Sequence, residues 1–131
     1  MHSRTLRPKI VVAATEHRQL LAMAAGGSSV AAETLLDEME RAHIVPDAKL
    51  PTDTVRMGSR VQYRTSEGDL TEVTLVYPSE ADISAGRVSV LTPVGAALIG
   101  LRVGQSITWL ARDGKKHVLT VLSVIQLESV R

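Results

Sequence analysis

The chain has no cysteine and no phenylalanine, and only one tryptophan and two tyrosines among its 131 residues. Without cysteine there is no disulfide and no thiolate zinc site, which is compatible with a reducing compartment. With so few aromatics the core must be built from Val, Leu, Ile and Ala, and a binding site walled by aromatic rings is not expected. A dominant charge is missing too: 15 basic residues face 14 acidic ones, for a net charge of +1, and neither sign runs in a block. Non-specific phosphate binding draws on a concentrated basic face, so no direct nucleic-acid partner is expected. There is no long apolar run either. Charged Met1 to Lys9 is followed only by Ile10 to Ala14, too short for a signal-peptide core or a membrane span. A cytoplasmic protein with no membrane partner is the expectation.

What is present suffices for a folded domain. The hydrophobic content is 44%, ordinary for a globular protein, and a chain of this length can remove about two-thirds of its unfolded surface from water. Ile10-Val11-Val12 reads as a short strand or extended lead-in. Thr15 can cap a helix from Glu16, with Leu20, Leu21 and Ala24 on one face. Gly26-Gly27-Ser28-Ser29 breaks it, and a second helix is predicted from Val30 to His43, striped by Ala32, Leu35, Leu36, Met39 and Ala42. Glu33, Asp37, Glu38 and Glu40 read as its solvated face, with Asp37 and Arg41 spaced for an i,i+4 pair. The two helices make a short antiparallel hairpin, with arms of about 20 Å at ~1.5 Å per residue.

Val45 to Asp53, with Pro46 and Pro51, has linker composition and marks the expected boundary between a unit at 1–50 and a unit at 51–131. Beyond it the apolar period changes to two. Val61 and Tyr63 alternate with polar neighbours, Ser66-Glu67-Gly68-Asp69 turns the chain, and Val73, Leu75 and Tyr77 alternate back. Pro78 to Gly86 is a polar connection. Val88 and Val90 form the next strand, after which Thr92 as N-cap and Pro93 at the first helical position start a very short helix that Gly100 stops. Val94, Leu98 and Leu101 give that helix an apolar face. A helix this short is stable only when packed, so the Thr92-Pro93 corner is a rigid feature of the fold. Ile107 to Ala111 and Val118 to Leu127 are two further strands around Arg112-Asp113-Gly114-Lys115, a strong hairpin signal. The fold class is α+β.

Chemistry-bearing motifs are scarce. His2, His17, His43 and His117 have no ligand-like spacing, so no metal is expected. No nucleophile elbow, phosphate loop or dinucleotide fingerprint occurs, and Gly100 and Gly104 read as a helix stop and a turn. Glu80 and Asp82, in the loop before the Val88 strand, are the acidic residues with a functional reading.

From Tyr77 onward the chain closely resembles the C-terminal domain of the Gre transcript-cleavage factors. The resemblance rests on Glu80-Ala81-Asp82, on the run from Val88 through Leu91-Thr92-Pro93 to Ala97-Leu98-Ile99-Gly100, on Val103-Gly104 and Asp113-Gly114, and on the last strand. Val55-Arg56-Met57-Gly58-Ser59-Arg60-Val61 and Thr74-Leu75-Val76-Tyr77-Pro78 are similar to the regulators of nucleoside diphosphate kinase, a group that joins this domain to a short helical hairpin. The resemblance implies an FKBP-like antiparallel sheet with one short helix, docking on bacterial RNA polymerase at the coiled-coil rim of the secondary channel. The contact residues it implies are Leu91, Thr92 and Pro93, with Asp82 beside them. Gre factors carry carboxylates at the tip of a long coiled coil, where they help hold magnesium for RNA hydrolysis. Here the short coiled-coil hairpin ends in Gly26-Gly27-Ser28-Ser29. The implied protein is therefore a monomer without catalytic residues, metal or cofactor, which occupies the channel entrance, does not stimulate cleavage and competes with factors that do. Two alternatives stand beside this reading: regulation of the level or activity of nucleoside diphosphate kinase, and a peptidyl-prolyl isomerase suggested by the FKBP-like fold.

Overall fold

The computed structural model describes residues 6–111 and 113–126. His2, Arg112 and Leu127, which the sequence reading includes, lie outside them. Strand β1 (Val11–Ala13) runs directly into helix α1 (Ala14–Ala25), and helix α2 (Val30–Arg41) returns after the exposed Gly26-Gly27-Ser28-Ser29 turn. The Ser29 side chain accepts from the Ala32 amide and caps α2. The second helix ends at Arg41, short of the predicted His43. His43–Val45 becomes strand β2 and pairs in parallel with β1, the His43 amide donating to the Ile10 carbonyl at 2.9 Å. The β-branched Ile44 and Val45 gain a ladder that a further helical turn would forfeit.

Thr15 does not cap α1. The helix begins at Ala14, and the Thr15 amide donates instead to the Asp47 carboxylate at 3.0 Å, so a residue 32 positions away satisfies an orphan N–H of the first turn. The Val45 to Asp53 segment is correspondingly tied down rather than loose. It ends β2, makes a short 3₁₀ turn at Asp47–Lys49 and leads into Val55, whose amide donates to the Leu101 carbonyl at 2.7 Å.

The larger sheet has five strands: β3 (Ser59–Thr65), β4 (Leu70–Val76), β5 (Arg87–Ser89), β6 (Ser106–Leu110) and β7 (Lys116–Gln126), in the order β5-β4-β3-β7-β6. All pairs are antiparallel except β4 with β5. Helix α3 (Pro93–Leu98) lies between the sheet and α2, with Ala96, Ala97 and Leu98 no more than 2% exposed. The helix ends at Leu98, so Leu101 of the predicted stripe is buried beyond it, and the buried residues within the helix are not a single stripe because it is covered from two sides. One aliphatic cluster runs from Leu20, Leu35 and Met39 of the hairpin to Val61, Leu75, Leu98, Leu101 and Leu119 of the sheet unit. Polar contacts also join hairpin to sheet: Glu16 pairs with Arg56 at 2.8 Å, and the Tyr77 hydroxyl donates to Gln19 at 2.7 Å.

Glu38 departs from its predicted place on the wet face. It is 5% exposed and held by Arg41 and by Arg7, whose N-terminal segment runs along β6 and is bonded there, the Thr108 amide donating to the Leu6 carbonyl at 3.0 Å. The predicted Asp37–Arg41 pair is replaced by Glu38–Arg41 at i,i+3, because Arg41 also reaches back to the Pro8 carbonyl at 2.7 Å.

Candidate functional site

The Thr92-Pro93 corner is built as its sequence predicts and fixed more firmly. The Thr92 hydroxyl accepts from the Gly95 amide at 3.1 Å and itself donates to the Ser89 carbonyl at 2.7 Å, bonding the helix start to the end of β5. The Ser89 hydroxyl in turn accepts from the Leu91 amide at 3.0 Å. Gly95 allows this closeness: a Cβ there would sit 2.2 Å from the Ser89 carbonyl oxygen and 2.9 Å from the Val90 Cα. At Gly100 φ is +83°, and an added Cβ would meet Ile10 Cβ at 2.8 Å, so the chain leaves the corner along one allowed path.

Beside the corner lies a groove of about 630 Å³, lined mainly by apolar groups: Ile83, Val88, Pro93, Val94, Trp109 and Ala111. Thr92 and Pro93 border it. Leu91, predicted with them, is partly buried and packs against the core. Asp82 belongs to a smaller adjoining cleft of about 370 Å³ with Ser79, Glu80 and Arg87. Of the four residues predicted as contacts, two thus share the groove, one supports it from within and one sits next to it.

The far wall is supplied by β6, β7 and their turn, elements that sequence reasoning did not connect to the corner. Trp109 and His117 face each other there with ring centroids 5.5 Å apart, and the Asp113 carboxylate lies 3.2 Å from His117 Nε2. Trp109 gives this groove an aromatic wall, which the scarcity of aromatic residues did not lead one to expect. Hydrogen bonding from the Lys115 amide, with His117 beside it, holds the Asp113 carboxyl below the usual carboxylate range. Asp82 is lowered as well, chiefly by its bond from the Ser84 hydroxyl, with Arg87 contributing. Neither carboxylate is desolvated enough to act as a general acid near neutral pH. Among the described residues no group of three His, Asp or Glu side chains could hold a metal ion. The chemistry this surface offers is apolar contact on a rigid frame, edged by paired charges.

The family model described as transcription elongation factor, GreA/GreB, C-terminal, matches residues 50–126, more than half of the chain. The chain belongs to the GreA/GreB family. Within that family it is similar to the Regulator of nucleoside diphosphate kinase of Escherichia coli K12, 45% identical over 98 residues, 74% of this chain and 70% of that protein. It is 42% identical over 83 residues to Transcription elongation factor GreA of Rhodospirillum rubrum, covering 63% of this chain and 53% of that one. Among solved structures it is similar to the GreA/GreB transcription elongation factor of Nitrosomonas europaea: 31% identity, TM-score 0.72, covering 91% of this chain and 99% of that one. Corner and groove both fall inside the residues matched by the GreA/GreB model, whereas the hairpin precedes them.

Proposed function

We propose that this protein is a non-enzymatic transcription regulator that docks on RNA polymerase through the Thr92-Pro93 corner and the groove beside it. The observation that carries this reading is a rigid corner bordering an apolar groove of about 630 Å³, on a unit matched by the GreA/GreB family. A corner held by Thr92 and Ser89 has little conformational freedom left to lose on binding, which favours docking. We place the contact at the coiled-coil rim of the polymerase secondary channel, with the protein acting as a cytoplasmic monomer. The start of the family match at residue 50 supports a boundary between hairpin and sheet unit at 50/51.

The hairpin supports the second half of the proposal. Its tip loop is Gly26-Gly27-Ser28-Ser29, and the nearest acid, Glu33, stands one turn along α2. With helices of 12 residues, each about 18 Å long at ~1.5 Å per residue, the arm is short and its loop carries no carboxylate for magnesium. The protein then occupies the channel entrance, leaves the transcript intact and competes with cleavage factors. The test adds purified protein to backtracked elongation complexes with and without GreA. Saturable polymerase binding, no cleavage alone and a dose-dependent loss of GreA-stimulated cleavage are expected. Robust cleavage by the protein itself, or no polymerase binding, contradicts the proposal.

The 45% identity to a Regulator of nucleoside diphosphate kinase favours a second reading, control of that kinase's level or activity. Parallel capture of polymerase and kinase by the immobilised protein separates them: kinase retained without polymerase would reverse the order of the two readings.

A further inference from the structure

Ile83 is 90% exposed, the most exposed large apolar side chain among the described residues, yet the turn that carries it is tightly built. Residues Ile83–Ala85 form one 3₁₀ turn, closed by Gly86 at φ +73°, and almost every bond that shapes it ends on Asp82. The Asp82 carboxylate accepts from the Ser84 amide at 3.1 Å and from the Ser84 hydroxyl at 2.6 Å. The Asp82 carbonyl accepts from the amides of Ala85 and Arg87, at 3.0 and 2.9 Å, and the Asp82 amide donates to the Arg87 carbonyl at 2.9 Å. The second carboxylate oxygen lies 3.6 Å from the Arg87 guanidinium. The turn is therefore held by polar bonds alone, and its isoleucine stands on the rim of the groove beside Val88, Pro93 and Val94.

A side chain so exposed does nothing for folding. An apolar group fixed in water at the edge of an apolar groove gains only when something covers both. We propose that Ile83 is the anchor that polymerase buries when it docks, and that Asp82 is a positioning residue that aims it rather than a contact. The inference rests on the docking reading above and specifies which side chain carries it. Burying one isoleucine on a preorganised turn corresponds to roughly a tenfold gain in affinity. Loosening the turn without removing the isoleucine gives back only part of that gain.

The test measures RNA polymerase affinity and thermal midpoint for the parent, Ile83→Ala, Asp82→Ala, Asp82→Asn and the double variant Asp82→Ala/Ile83→Ala. Ile83→Ala is expected to bind about tenfold more weakly at an unchanged midpoint. Asp82→Ala is expected to bind about threefold more weakly, and Asp82→Asn, which still accepts from Ser84, close to the parent. The double variant should be no weaker than Ile83→Ala alone, because a positioning residue has nothing left to aim. Unchanged affinity in Ile83→Ala overturns the inference, and so does an unfolded Ile83→Ala, since its side chain would then be structural. Additive losses in the double variant would make Asp82 a contact in its own right. No polymerase binding by the parent overturns the docking reading and this inference together, whereas binding by the parent with an indifferent Ile83→Ala overturns this inference alone.

Discussion

In the hairpin Leu20, Leu35 and Met39 turn fully inward, at most 1% exposed, while Leu21, Met23 and Leu36 are half-buried and, apart from Val30, the tip presents glycine and serine. On the face between the Ile83 turn and the β6–β7 end, Ile83 stands in water, and Val88, Val94 and Trp109 are covered only in part. Both regions contribute to one aliphatic core, but in the second the half-covered apolar side chains line a groove beside the capped corner. A helix pair that spends the centre of its stripe on its own sheet unit has less left to offer a partner. A groove that the fold leaves open beside a capped corner has both surface and rigidity to offer.

The largest effect expected from breaking this contrast is at Gly95. Gly→Ala inside a helix ordinarily stabilises by about 0.5–1 kcal/mol. Here the new Cβ would meet the Ser89 carbonyl oxygen at 2.2 Å, so the corner must open. Urea unfolding of Gly95→Ala should show a loss of about 3 kcal/mol, as for a strongly overpacked site. A more stable variant would mean that the corner is not closed as described.

Glu38→Ala tests the hairpin side. It removes the carboxylate shared by Arg7 and Arg41 and leaves the partly buried Arg41 guanidinium with only the Pro8 carbonyl to bond, its Nε already lacking a partner. A loss of about 2 kcal/mol is expected in the same assay, below the range for a fully buried pair because Arg7 is half exposed. A change within a few tenths would return Glu38 to the solvated face its sequence suggested.

Acid titration sharpens the comparison with the smallest effect. Asp47 at the base of α1 and Asp82 and Asp113 beside the groove are all held below the ordinary carboxylate range, by hydrogen bonds from Thr15, Ser84 and Lys115 respectively. A carboxyl depressed in the folded state stabilises fully above its unfolded value and loses that contribution as pH falls through the folded value. Unfolding midpoints should therefore be flat from neutral pH down to the ordinary carboxylate range and fall below it. All three groups face solvent, so the loss is modest, and a midpoint that rose on acidification would contradict the hydrogen-bond pattern.

How much of this was legible in the sequence depends on how local the cause is. The β3–β4 hairpin follows from period-two alternation around Ser66-Glu67-Gly68-Asp69, and the Thr92 cap from a threonine directly before a proline at the first helical position. Those signals lie within a few residues. The β1–β2 pair does not announce itself, because three-residue strands are too short to show a period and their pairing spans 32 positions. Glu38 looks solvated until Arg7 arrives from 31 residues away, and Asp47 looks like linker until α1 begins against it. Half of the candidate face was likewise visible: the corner is a local motif, but Trp109 and His117 reach it only through the order of the sheet. Ile83 does stand out as the single large apolar residue between Ser79 and Arg87, though what it does depends on the bonds that Asp82 makes around it.

The central claim is that polymerase is held by the corner and its groove, and Pro93→Glu tests it most directly. Position 93 opens α3, where a glutamate suits the helix terminus, so the fold should survive while a charge enters the apolar groove. With circular dichroism and urea unfolding matching the parent, equilibrium binding to RNA polymerase should weaken at least tenfold. Unaltered affinity in a folded Pro93→Glu variant would contradict the account.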